Sequence, residues 1–279
     1  MAVRIITDST SDISLKQQEE YDIEVVPLLV RFGQEEYLDG VTLTGEEFYE
    51  KLSASAQLPT TAQVSPEQFV KVFQKYGDED EIVGIFLSSA MSGTYQSAVI
   101  AKNLLGRTNI HLVDSRNVTF ALGLLVLEAS RMRNDGCSAQ RICEEVTALI
   151  DRVRLYAVVD TLKYLKMGGR LAPSAALVGA VLRIKPIITI KDGMVDVAEK
   201  KQGTKAALEA VAQHFMQDQP DSRHLIVFGD SIAPESTERL KKLLSGQYKP
   251  RNSRTMALGA TVGTHAGPGC AGVAYIVPK

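Results

Sequence analysis

The chain has 279 residues, 45% of them hydrophobic and 23% charged, and 31 basic against 33 acidic side chains leave a formal charge of -2. This composition excludes a disordered chain, and the balance of charge excludes a surface that binds nucleic acid by massed phosphate neutralisation. Aromatic residues are only 6% and Trp is absent, so pocket walls are expected to be aliphatic.

Cys137, Cys143 and Cys270 form no CxxC pair, which argues against a disulfide framework or a thiolate zinc site and for a reduced, cytoplasmic setting. The opening MAVRIITDST is too short an apolar run for a signal peptide, and no segment approaches about 18 uncharged apolar residues.

In chain order, Val3 to Thr7 reads as a strand ending in the polar loop Asp8-Ser9-Thr10-Ser11-Asp12, and Ser14 with Gln17 caps the helix after it. Ile23 to Phe32 reads as one strand region, followed by a turn at Gly33 to Glu36. Thr44 with Glu47 forms a capping box for a helix over Glu46 to Leu52. A polar loop runs on to Gln63, and Ser65-Pro66-Glu67-Gln68 opens the next helix. Strands at Ile82 to Leu87, Ile110 to Val113 and Leu155 to Val159 then alternate with helices at Thr94 to Leu105, Thr119 to Arg133 and Ser138 to Val153. This alternation is the βαβ pattern of a doubly wound, mostly parallel sheet.

The second half changes texture. A short helical run ends at Gly168-Gly169, Ser174 opens an alanine-rich helix, and Lys185 to Val197 reads as a hairpin around Lys191-Asp192-Gly193. Helices at Thr204 to Met216 and Pro234 to Leu244, with strands at Leu225 to Phe228, Thr255 to Leu258 and Ala271 to Val277, complete a smaller mixed α/β layer. The expected division is 1–157 and 158–279.

Three hydroxyl-rich segments stand out: Asp8-Ser9-Thr10-Ser11, Pro59-Thr60-Thr61-Ala62-Gln63 and Ser88-Ser89-Ala90-Met91-Ser92-Gly93-Thr94. The first and third follow parallel strands, beyond whose carboxyl ends open α/β sheets bind ligands. Ser92-Gly93-Thr94 begins a helix, where unpaired N–H groups beside a hydroxyl suit a carboxylate or phosphate oxygen. The bland alternative is that each hydroxyl caps its own helix. Neither G-x-G-x-x-G nor G-x-x-x-x-G-K-[ST] follows the first strand, so the usual dinucleotide and ATP cradles are missing.

Gly259 to Gly272 holds five glycines in fourteen residues and reads as a loop carrying His265, either toward a ligand or as a brace. Ser92 and His265 with Asp8 or Asp114 form a possible nucleophilic triad, although the G-x-S-x-G elbow is lacking. The four histidines show no zinc-ligand spacing. Asp8 and Asp12 suit capping better than acid/base work. Lys163, Lys166, Arg170, Arg183 and Lys185 make a local basic cluster, either a solvated face or a docking feature for an acidic or phosphorylated partner. Ala121 to Leu127 and Ala175 to Leu182 are small and aliphatic on every face, the mark of core helices or of the walls of a channel.

Thr7-Asp8-Ser9-Thr10-Ser11-Asp12, Thr60-Thr61-Ala62-Gln63, Leu87 to Tyr95, Gly168-Gly169-Arg170 and His265-Ala266-Gly267-Pro268-Gly269, in this order, resemble the DegV family of fatty-acid-binding proteins. The resemblance spans the whole chain. It implies an N-terminal Rossmann-like parallel-sheet domain and a C-terminal mixed α/β domain with a lipid tunnel between them. By the same resemblance Thr61 and Ser92, assisted by the Gly93 N–H, hold the fatty-acid carboxylate, while Arg170 and His265 lie at the pocket mouth. The family implies a binding subunit of a bacterial fatty acid kinase with no phosphoryl-transfer site of its own. ATP and Mg²⁺ are then expected on the kinase subunit, and an acyltransferase of phospholipid synthesis on the path of the acyl phosphate. Contact with a membrane surface would be transient. Ala62 departs from the family, which often has Ser there. A hydrolase built on Ser92 and His265, and a regulatory module plugged by lipid, are the rival classes.

Overall fold

The computed structural model describes residues 2–174 and 183–279. The alanine-rich helix expected after Ser174, and with it Ala175 to Leu182, lies outside the described residues. Strands β1 (Val3–Asp8), β2 (Ile23–Val26), β6 (Glu81–Phe86) and β7 (Ile110–Asp114) form a parallel sheet in the order β2-β1-β6-β7. Aliphatic residues such as Ile5, Ile6, Ile82, Val83 and Ile85 are buried along its central strands, as a sheet covered on both faces requires. Its helices start where the sequence says they should. Capping boxes at Ser14 and Gln17 and at Ser65 and Gln68 open α1 (Leu15–Tyr21) and α3 (Pro66–Phe73), and a third at Thr44 and Glu47 opens α2 (Gly45–Ala54).

Ile23 to Phe32 is two strands rather than one. Pro27 interrupts the run, and β3 (Leu29–Phe32) leaves the parallel sheet to pair antiparallel with β4 (Glu35–Leu38) and β5 (Thr60–Ala62). The polar stretch that reads as a loop around Thr60 is therefore an edge strand, fixed by the register Val30 to Thr61.

The third sheet has the order β10-β9-β8-β13-β11-β12, from β8 (Val153–Val158), β9 (Ile184–Lys191), β10 (Met194–Gln202), β11 (Ile226–Asp230), β12 (Ser253–Ala257) and β13 (Ala271–Ile276). All its pairs are antiparallel except β11 with β12. Asp192 and Gly193 turn the β9–β10 hairpin with φ of 51° and 76°, the left-handed pair that a two-residue hairpin demands. Sheet membership changes at β8, the first strand of the third sheet in chain order.

Helix α5 (Thr119–Asn134) is buried on nearly every side because it packs against β1 and β6 of the first sheet and against β8, β11 and β13 of the third. Its apolar content on all faces follows from this double duty.

Candidate functional site

A cavity with about 780 Å³ of unfilled space, part of it open to solvent, lies where the three sheets meet. Leu155, Ala157, Ile188, Ile190 and Val195 contribute an aliphatic wall from the third sheet, and Phe120, Leu87, Met91 and Val262 enclose the rest. All three hydroxyl-rich segments reach it, through Thr10, Thr61 and Ser92. Arg170 and His265 line it as well, so four of the five expected site residues share one cavity. The fifth, Gly93, is the N-cap residue of α4 (Thr94–Leu105), directly after Ser92.

The polar cluster is assembled from distant elements. Thr61 sits on β5, where its hydroxyl shares a 2.9 Å hydrogen bond with His265 Nε2. His265 lies near the end of α10 (Ala260–Ala266), a short helix inside the stretch that reads as a glycine-rich loop. Two carboxylates hold the helix start against its local preference: Asp12 accepts from Gly259 N at 2.9 Å, and Asp39 accepts from Ala260 N at 2.9 Å and Thr261 N at 3.2 Å. Close packing also shapes α10. A Cβ on Gly263 would come within 2.6 Å of the Phe48 ring, and one on Gly267, whose φ is 73°, within 2.3 Å of the Tyr164 ring.

Arg170 is placed by the second half of the chain. It follows α7 (Lys163–Met167), its carbonyl accepts from Val195 N, and its neighbour Leu171 bridges to β10. Its guanidinium donates to Met91 O at 3.2 Å and to Gly168 O at 2.6 Å. Both acceptors are backbone carbonyls, so among the described residues no carboxylate neutralises this half-buried cation. Lys185, by contrast, is paired with Asp160 at 2.7 Å, and Lys163 and Lys166 are exposed.

Ser92 Oγ lies 3.0 Å from Thr94 Oγ1 and accepts from Thr94 N at 3.3 Å. No side chain caps α4 in the usual way, and a Cβ on Gly93 would fall 2.1 Å from Gln63 Oε1. Gly93 thus lets the end of the Gln63 side chain lie close, and the Gln63 amide donates to Ser97 Oγ at 3.0 Å.

The Ser92/His265 triad is not formed. His265 Nε2 is engaged by Thr61, Nδ1 is buried with no partner, and Ser92 pairs with Thr94. The acids that would orient the ring are occupied elsewhere: Asp8 accepts from Thr10 and from Leu87 N, and Asp114 from Ser89. Burial, with the charge of Arg170 beside it, holds the His265 imidazole down at about 4, so the ring is neutral at neutral pH. The Cys270 thiol on the cavity wall is pushed up to about 12, chiefly by burial, and is no nucleophile. His111, His214 and His224 are each beside a glutamate elsewhere. Among the described residues no cluster of three or more His, Cys, Asp or Glu is arranged to hold a metal, and no helix is long and apolar enough to cross a membrane.

Asp39 and Thr261 were not evident as site residues. Asp39 supports α10 from a position whose only local feature is a following glycine, and Thr261 reaches the cavity only because α10 is a helix.

The fold recurs in known proteins. A family model described as "Uncharacterised protein, DegV family" matches residues 2–277. A DegV domain-containing protein of Caldanaerobacter subterraneus subsp. tengcongensis is 36% identical over 275 residues, covering 98% of each chain. A DegV family protein from Thermus thermophilus, described as binding fatty acid, superposes with a TM-score of 0.91 at 31% identity, over 99% of this chain and 100% of its own. A stearic-acid-binding protein from Eubacterium ventriosum superposes with a TM-score of 0.87 at 27% identity, over 99% of this chain and 98% of its own. The chain belongs to the DegV family.

Proposed function

We propose that the chain binds a long-chain fatty acid, with the alkyl tail along the aliphatic wall and the carboxylate at Thr61, Ser92 and the Gly93 N–H. The observation that carries this reading is the single cavity that joins an aliphatic body to one polar cluster beside an unneutralised Arg170. Each buried CH₂ contributes about 0.8 kcal/mol, so a 16-carbon tail supplies on the order of 10 kcal/mol before the costs of association. The hydroxyls then orient the head group by sparing the carboxylate an unpaired burial. The Thermus thermophilus DegV family protein described as binding fatty acid and the stearic-acid-binding protein from Eubacterium ventriosum support the ligand class.

In the fuller form of this reading the carboxylate is presented to a partner kinase subunit. That subunit brings ATP and Mg²⁺, phosphorylates the carboxylate to an acyl phosphate, and leaves the product on this chain for phospholipid synthesis. Arg170 and His265, at the mouth, would serve the engagement.

Native mass spectrometry of the protein purified from a bacterial host tests the ligand class. A bound mass of a fatty acid of about 14 to 18 carbons is expected. Reproducible absence of any lipid overturns the reading.

A further inference from the structure

The hydroxyl-rich loop that follows β6 holds one buried serine outside the polar cluster. Ser88 donates its hydroxyl to Gly193 O at 2.7 Å. The two ends of this bond belong to different sheets. Ser88 follows β6 of the parallel sheet, and Gly193 turns the β9–β10 hairpin at the edge of the third.

That hairpin is anchored at its root and projects beyond it. β9 pairs with β8 at Ile187 with Val158 and at Ile188 with Ala157, and Pro186 O accepts from Val159 N at 3.1 Å. From Thr189 to the tip, β9 has left β8 and continues in register with β10. β10 changes register between Val197 and Glu199, opposite Ile188 and Ile187, so a bulge lies at the root, where bulges bend a strand. Alternation gives the projecting arm two faces. Ile190 and Val195, which are cross-strand partners, line the cavity, and the partners Thr189 and Asp196 lie on the opposite face.

The inner face of the arm is thus a cavity wall that the neighbouring strand β8 does not hold in place. Its free edge is bonded to residues 170–172, with Val195 N donating to Arg170 O at 3.3 Å and Ala172 N to Val195 O at 2.7 Å. Both parts of this flap are tied to the loop after β6, through Ser88 to Gly193 O and through Arg170 Nε to Met91 O at 3.2 Å. Arg116 lies 3.9 Å from Asp192, an exposed pair that adds little. A Cβ on Gly193 would stand 2.5 Å from Ser88 Oγ and 3.3 Å from Ala90 Cβ, so the glycine lets the tip seat on the loop.

We propose that residues 189–196 are a hinged wall of the cavity, latched to the parallel-sheet side by Ser88 and bending at the bulge to pass a ligand. The lipid-binding reading supplies the ligand, whereas hinge and latch are properties of the ligand-free chain. Opening lifts Ile190 and Val195 from the cavity and leaves the pairing of β8 with β13 intact. A lid of this kind governs the rate of exchange.

Amide hydrogen exchange of the ligand-free protein, followed by NMR, tests the hinge. The hydrogen-bonded amides within 189–196 should exchange together and faster than those of β8 and β13. In Ser88→Ala they should exchange faster again by about two- to tenfold, the worth of one hydrogen bond. Protection equal to that of β8, or an unchanged rate in Ser88→Ala, overturns the proposal. The latch can also be made covalent, because a Cβ on Gly193 would stand 3.8 Å from Ser88 Cβ, within the range of a disulfide. Oxidised Ser88→Cys with Gly193→Cys should exchange bound palmitate for ¹³C-labelled palmitate at least about tenfold more slowly than the reduced form, as followed by native mass spectrometry. Equal rates in the two forms overturn this wall as the ligand's path. Should the bond fail to close at Gly193, whose φ is 76°, the palmitate exchange of Ser88→Ala decides instead: it should be faster than in the wild type, and an unchanged rate overturns the path. A wild type that retains no palmitate overturns the lipid reading, while amide exchange still decides the hinge.

Discussion

Two groups of buried polar side chains lie at the cavity and behind it, and they differ in how completely they are used. Asp8, Asp12 and Asp39 form the first group. Asp8 accepts from Thr10 N at 3.0 Å, Thr10 Oγ1 at 2.5 Å and Leu87 N at 2.8 Å. Asp12 accepts from Thr119 Oγ1 at 2.6 Å and Gly259 N, and Asp39 from Ala260 N and Thr261 N. Every carboxylate oxygen has a donor, and the three side chains tie β1, the start of α5 and the start of α10 into one body. Thr61, Ser92, His265 and Arg170 form the second group, in which two hydroxyls and an unneutralised cation line the cavity and one ring nitrogen is buried without a partner. The contrast separates polar groups that build from those that, in the proposed function, bind. A satisfied buried group stabilises the fold it joins, whereas an unsatisfied one is maintained by its neighbours and finds its partner in a ligand.

The largest effect is expected on the building side. Asp39→Ala leaves two buried N–H groups at the start of α10 without acceptors and should cost about 3 kcal/mol or more in stability, measured by urea unfolding. His265 rides on that helix, so lipid retention should fall with stability. A variant as stable as the wild type would show that the aspartate is not the support it is taken for, and the contrast would fail at its strongest point.

Acid sensitivity sharpens the comparison, because the two groups titrate in opposite senses. The Asp8 carboxyl is raised from 3.8 to about 6, chiefly by burial, so the folded state binds protons more tightly than the unfolded one between these values. Its contribution to stability is present below about 3.8 and is lost as the pH rises through about 6. His265 is lowered from 6.5 to about 4, so in that window the unfolded state is the better proton binder. Its contribution is present above 6.5 and is lost as the pH falls toward about 4, by at most about 3 kcal/mol. Unfolding followed from pH 7 to 4 should show His265→Gln losing less stability on acidification than the wild type. Parallel curves for the two proteins would mean that the ring is not buried as a neutral group.

The building group was far less legible in the sequence than the elements it supports. Capping boxes at Ser14, Thr44 and Ser65 are local, with donor and acceptor three residues apart, and they mark helix starts correctly. The split between β2 and β3 depends on Pro27 and on where the chain goes next, and the strand at Thr60–Ala62 exists because β3 offers an edge. Helix α10 runs against its own glycine content and is held by acceptors 247 and 221 residues away in sequence, which no local pattern can signal. The hydroxyls that line the cavity were easier, because hydroxyls at strand ends and helix starts carry their chemistry with them. What the sequence could not supply was the partnership of Thr61 with His265.

The smallest change in stability, and the cleanest separation of the two groups, is expected at Ser92. Its hydroxyl makes one contact with Thr94 Oγ1 at 3.0 Å and accepts one long bond from Thr94 N at 3.3 Å, and it is only half-buried. Removing it leaves α4 with the rest of its hydrogen bonds and should cost under about 1 kcal/mol of stability. Should the hydroxyl donate to a bound carboxylate, Ser92→Ala loses a hydrogen bond to a charge, and palmitate binding should weaken about tenfold or more. The ratio of the two losses is the informative quantity. For Asp39→Ala the loss in binding should follow from the loss in folding, whereas for Ser92→Ala binding should fall while the unfolding midpoint barely moves. Calorimetric titration with palmitate beside urea unfolding measures both in one preparation. A Ser92→Ala protein that unfolds early yet binds palmitate normally would place Ser92 among the groups that build.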